Sequence, residues 1–145
     1  MRFPREFTDK ALLDDLSAGK VIKTEIQFPD GGKAVKRLVV LSNINERTIL
    51  VITSTSRTNN PRRYYNKDDV FIAAGQEPMF EEDTYLRLNR ALEIPTGELL
   101  IKYNELRLDK LGHISEQRLN EIYAKVEGSQ LIAQKHIARI LKERI

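Results

Sequence analysis

Arg37 opens the run Lys36-Arg37-Leu38-Val39-Val40-Leu41-Ser42-Asn43, and Thr53 and Ser54 close the next, Thr48-Ile49-Leu50-Val51-Ile52-Thr53-Ser54-Thr55. A guanidinium and small hydroxyls at the ends of two β-branched, apolar runs are polar groups held rigidly by strands while their heads stay wet. That is the chemistry of a shallow polyanion site. A second set follows at once. Between Ser56 and Lys67 stand Arg57, Arg62, Arg63 and Lys67 with no acidic residue, and Tyr64 and Tyr65 sit among them. Cations hold phosphates and aromatic faces stack unpaired bases, so this segment suits single-stranded RNA better than a duplex. The same residues equally suit a solvated loop whose tyrosines cover a sheet edge.

Other constellations point away from conventional catalysis. Asp68 and Asp69 are adjacent, so on a strand they face opposite sides and cannot act as a carboxylate pair, although one of them can orient an arginine. His113 and His136 are the only imidazoles and have no second ligand at metal-binding spacing. His113, in the turn before a helix, can bond locally. Glu81-Glu82-Asp83 lacks the alternation of a calcium loop and reads as a solvated acidic turn, able to pair with a basic loop of a partner subunit. Gly31-Gly32 has neither the lysine-hydroxyl pair nor the helix of a phosphate loop, and no serine sits in a glycine-flanked elbow. The expectation is a protein without metal or cofactor.

Composition frames these groups. With 145 residues, 41% hydrophobic and 31% charged, the chain is long enough for one globular domain with a sizeable core. It has no cysteine, which excludes disulfides and thiolate zinc sites. The net charge of +3 is small, so the clustering of cations near residues 57–67 carries the polyanion argument, not the total. No run reaches membrane-spanning length, and the first residues lead into charge where a secretion signal would be apolar. A cytoplasmic protein is expected.

The elements that must position the site follow from periodicity. Thr8 can cap a helix bearing Leu12, Leu13 and Leu16, which Gly19 ends. A strand over residues 21–28 and the turn Pro29-Asp30-Gly31-Gly32 make a hairpin with the Arg37 strand. Residues 70–74, 84–88 and 91–94 are further strand candidates, whereas 97–111 fits helix or strand. Ser115 caps a helix through Leu119, Ile122, Tyr123 and Val126 to Gly128. Ser129 starts a last, basic helix with Lys135, Arg139, Lys142 and Arg144 on its polar side. Many short, hairpin-linked strands predict a mostly β fold, a small and strongly bent antiparallel sheet or barrel with C-terminal helices. Apolar strand residues such as Val39, Leu41, Ile49 and Val51 exceed what so small a barrel covers by itself.

The order of motifs resembles the MazF/PemK-type toxins. Gly19-Lys20-Val21-Ile22, Arg37-Leu38-Val39-Val40-Leu41-Ser42, Ile49-Leu50-Val51-Ile52-Thr53-Ser54, Asp83-Thr84-Tyr85-Leu86 and Leu111-Gly112-His113-Ile114-Ser115 carry the resemblance, over about residues 19–127. It implies an SH3-like barrel at 19–127; the N-terminal helical extension at 1–18 and the basic amphipathic helix at 128–145 are read from the residues and lie outside the family pattern. It also implies a homodimer and a metal-independent endoribonuclease of a toxin-antitoxin system, inhibited by an antitoxin protein. On that resemblance Arg37 is the catalytic arginine and Thr53, with Ser54 beside it, the catalytic hydroxyl. Cleavage by the RNA's own 2′-hydroxyl requires stabilisation of charge growing on phosphorus, which a guanidinium fork can supply. The adjacent strands are expected to bring Arg37 and Thr53 into one pocket. Two features depart from the family: Leu38 stands where proline is usual, and Pro29-Asp30-Gly31-Gly32-Lys33 replaces its hairpin tip. These departures suit the alternative, a barrel that binds RNA or a protein peptide without cutting.

Overall fold

The structure, a computed structural model, describes residues 11–27, 31–43, 47–55, 69–128 and 134–142. In chain order these form helix α1 (described at residues 11–15), β1 (Lys20–Gln27), β2 (Lys33–Ser42), β3 (Thr48–Thr55), β4 (Val70–Ile72) and β5 (Thr84–Pro95). Helix α2 (Thr96–Asn104), β6 (Leu108–His113), α3 (Glu116–Glu127) and α4 (Gln134–Leu141) complete the chain. The six strands make one antiparallel sheet in the order β4-β5-β3-β2-β1-β6. It is curled into a half-barrel, and register shifts interrupt the β1–β6, β2–β3 and β3–β5 ladders, where extra residues bend and twist the strands. Among the described residues no helix is long and apolar enough to cross a membrane.

The centre of the sheet is buried on both faces, which is why β3 and the second half of β2 read as unbroken apolar runs. On one face Val39, Leu41, Leu50 and Ile52 pack beneath α3 and α4 through Ile122, Val126 and Ile140. On the other, Leu38, Val40, Ile49 and Val51 pack beneath Leu12 and Leu16 from the N-terminal segment and Leu99 from α2. Val39, Leu41, Ile49 and Val51 are each at most 1% exposed within the single chain. The expected surplus of apolar strand surface is therefore absent: the chain's own helices cover it. The described parts of α1 and α4 thus join the same body as the strands between them.

Several sequence expectations take a sharper form. The segments 84–88 and 91–94 are one strand, β5, whose register jumps from Ile52↔Ala91 to Ser54↔Leu86. The ambiguous stretch 97–111 divides into α2 and the edge strand β6, with Leu106 at φ 61° reversing the chain between them. Ser115 caps α3 by accepting a 3.2 Å hydrogen bond from the Arg118 amide, and Gly128 ends that helix, as the sequence predicts. The proposed caps at Thr8 and Ser129 lie outside the described residues.

Candidate functional site

Arg37 enters the site through its place in the ladder. Lys23 on β1 pairs with Arg37 on β2, and Leu38 pairs with Thr53 on β3, so Ser54 is the residue that lies beside Arg37. The Ser54 hydroxyl donates a 2.8 Å hydrogen bond to the Arg37 carbonyl and fixes that adjacency. Together with Thr55, Phe80 and Thr84, these residues line a pocket of about 150 Å³. Lys36 and Val35 complete its wall, so three cations and no carboxylate line it among the described residues.

Arg37 is half-buried here, and its Nε is buried with no hydrogen-bond partner among the described residues. An unmet buried donor of this kind costs about 1–3 kcal/mol. A phosphate oxygen in the pocket is the natural acceptor for it. Two of the pocket's hydroxyl protons are already committed, Ser54 to the Arg37 carbonyl and Thr84 to the Glu82 carbonyl, each at 2.8 Å. Attraction of an anion thus falls to Lys23, Lys36 and Arg37.

The expected pairing of Arg37 with Thr53 is not what the fold provides. Residues directly opposite in an antiparallel ladder share a face, so Thr53 belongs with Leu38 and Val51, on the side of α1 and α2. Arg37 and Ser54 belong with Val39 and Ile52 on the other side. A displacement of one residue exchanges the faces of a strand, and that single step separates the two groups. Thr53 is 7% exposed and does not line the pocket. The remaining expected RNA contacts, Arg57, Arg62, Arg63, Tyr64, Tyr65 and Lys67, lie outside the described residues.

Asp69 does orient an arginine, though a different one. Its carboxylate, 2% exposed, lies 3.7 Å from Nε of Arg87, and its carbonyl accepts a 2.7 Å bond from Nζ of Lys125. Arg87, which sequence reading passed over, stands in the irregular part of β5. Its signal was a charge inside the apolar run Tyr85–Leu88. Lys23, Phe80 and Thr84 were also missed as pocket residues. Only the β1–β2 register could have revealed Lys23.

The two histidines serve local structure. His113 places Nδ1 2.6 Å from the Ile114 carbonyl and Nε2 2.8 Å from that of Ala18, tying β6 to the entry of β1. His136 on α4 lies 3.6 Å from Glu93, and burial pushes its imidazole below the usual range although Glu93 acts in the opposite sense. No protein-family model and no curated protein matches this chain.

Proposed function

We propose that the protein binds single-stranded RNA, with a backbone phosphate seated in the pocket formed by Lys23, Lys36, Arg37 and Ser54. The observation that carries the proposal is the buried, unpartnered Nε of Arg37 in a pocket with three cations and no lining carboxylate among the described residues. An arginine fork matches phosphate geometry and its charge is permanent, so occupation satisfies a donor that the described residues leave unmet. The basic, tyrosine-bearing stretch at 57–67 adds sequence support, because it leaves β3 directly after the pocket residues Ser54 and Thr55. Binding of a labelled single-stranded RNA should weaken by about tenfold or more in Arg37→Ala, since one charge-assisted contact is worth at least the 1.4 kcal/mol that makes a factor of ten. Unchanged affinity would remove the proposal.

A second reading rests on Ser54, whose hydroxyl oxygen stands beside the arginine in the same pocket. On this reading the fold is an SH3-like barrel of the MazF/PemK type, acting as a metal-independent endoribonuclease with an antitoxin partner and a homodimeric state. Arg37 then stabilises the phosphorane, and Ser54 replaces Thr53 as the neighbouring hydroxyl. Incubation with long single-stranded RNA in chelator separates the two readings. Cyclic-phosphate ends that vanish in Arg37→Ala select the enzyme, and tight binding with intact RNA selects the binding module.

A further inference from the structure

The Arg37 pocket continues beyond Lys23. Lys23 and Val35 also line a larger hollow of about 300 Å³ that runs on to Lys102, Leu106 and Arg107. The shared wall makes one groove across β2, β1 and β6. Two strand spacings, about 10 Å, carry it from Arg37 to the β6 edge, which is room for more than one nucleotide of backbone.

The far end of the groove is built unlike ordinary surface. Leu106 is 91% exposed and adopts φ 61°, a conformation that a branched side chain rarely takes. The turn that presents it is pinned by bonds from the Leu106 amide to the Tyr103 carbonyl at 3.1 Å and from the Arg107 amide to the Lys102 carbonyl at 2.7 Å. Thr24 then donates to the Arg107 carbonyl at 2.9 Å. Val35, 57% exposed, stands at the other side of the same hollow. Two projecting apolar side chains thus flank a space whose wall carries Lys23, Lys102 and Arg107.

Glu25 and Asp109 also line this hollow, and some of its cations already have local partners. Lys102 bonds the Glu25 carbonyl and pairs with Glu98 at 3.4 Å, and Arg107 pairs with Glu105 at 2.8 Å. The hollow is therefore less cationic than the Arg37 pocket and more apolar. A phosphate belongs at the shared Lys23 wall, a neutral base at Val35 and Leu106, and the carboxylates suit amino or hydroxyl donors of that nucleotide.

We propose that this extension seats the neighbouring nucleotide of the RNA strand held at Arg37, with its phosphate between Lys23 and Arg107 and its base against Val35 and Leu106. The inference rests on the RNA reading of the Arg37 pocket. Affinities for a nucleoside monophosphate, which fills the Arg37 pocket alone, and a hexanucleotide carrying 2′-methoxy groups, which cannot undergo self-cleavage, test it by fluorescence anisotropy across salt concentrations. The variant is the double substitution Leu106→Gly with Arg107→Gln. Glycine accepts the turn's positive φ, so the fold is kept, as circular dichroism should verify. Hexanucleotide affinity should fall about tenfold in the double variant, its salt slope should flatten by about 0.7, and mononucleotide affinity should hold within about twofold. Equal loss for both ligands, or no loss for either while Arg37→Ala still abolishes binding, would overturn the extension and leave the pocket reading intact. Retention of binding in Arg37→Ala would instead remove the pocket reading on which it stands.

Discussion

Leu38 faces Thr53 across the β2–β3 ladder, and Arg37 therefore shares its face with Ser54, whose hydroxyl reaches the Arg37 carbonyl at 2.8 Å. The residue that is chemically most like a catalytic hydroxyl by sequence position is thereby turned away from the cation. Thr53→Val should leave RNA affinity within about twofold, whereas Arg37→Ala should lower it by about tenfold. Anisotropy titrations of the two variants decide the matter. A loss in Thr53→Val comparable to that in Arg37→Ala would mean that both side chains reach the ligand.

Glu77 anchors α3 from outside the helix. Its carboxylate, on a residue 4% exposed, accepts from the Ser115 amide at 3.1 Å and the Ser115 hydroxyl at 2.7 Å, with Arg118 Nε at 4.0 Å. Glu77→Ala removes the charged acceptor of both Ser115 donors and also removes negative charge from the helix N-terminus. The expected cost is about 1–3 kcal/mol in urea unfolding, with an unchanged m-value. A midpoint identical to that of the parent would show that water replaces the carboxylate without loss.

The strand framework was legible because β2 and β3 are buried on both faces and their apolar runs have no competing helical period. Helix α3 was legible from Ser115 and Gly128, whose capping roles are local chemistry. The site was half legible. Arg37 could be picked as a cation at a strand end, but choosing between Thr53 and Ser54 depends on register, and the irregularity at Val40/Ser42 lies between the turn and the site. A loop-length argument cannot count through such an irregularity. Lys23 and Arg107 lie far from Arg37 in sequence and meet its groove only through the β1–β2 and β1–β6 pairings. The burial of Val39 and Val51 in one chain depends on helices from both ends folding back, which strand composition alone does not disclose.

Gly19 and His113 form a close packing that tolerates no side chain at residue 19. Gly19 has φ 96°, and a Cβ there would lie 2.4 Å from His113 Cε1. The Gly19 amide also donates to the Val40 carbonyl at 2.8 Å, and its carbonyl accepts from the Ile114 amide at 3.0 Å, so the backbone has little freedom to retreat. Gly19→Ala should destabilise the fold by more than the roughly 1–2 kcal/mol of the backbone conformation alone. Adding His113→Ala should recover the steric part but not the backbone part, a non-additivity that a double-mutant cycle measures. Simple additivity would place the whole cost in the backbone.

His136 makes the attachment of α4 sensitive to acid. Its Nε2 is buried without a hydrogen-bond partner among the described residues, 3.6 Å from Glu93, and Arg139 of the same helix reaches Glu93 at 3.4 Å and the Thr48 hydroxyl at 2.9 Å. Burial is the largest influence and pushes the imidazole below its ordinary 6.5; Glu93 opposes that shift, while Lys135 and Arg139 reinforce it. The unfolded chain then binds the proton more readily than the folded one. Stability is fully present above about pH 6.5, falls as pH drops below it, and levels off once the folded imidazole is also protonated. Urea unfolding from pH 7.5 down to 5 should therefore show a declining midpoint, and His136→Gln should flatten that part of the profile. One further group bounds the window: Asp15, held low chiefly by its hydrogen bond from Lys110, keeps its contribution down to the ordinary carboxylate range and loses it only as the pH falls further, well under the His136 region. A midpoint that rises between pH 7.5 and 5 would mean that the Glu93 attraction outweighs burial, and the assignment of His136 as a neutral packing residue would then be reversed.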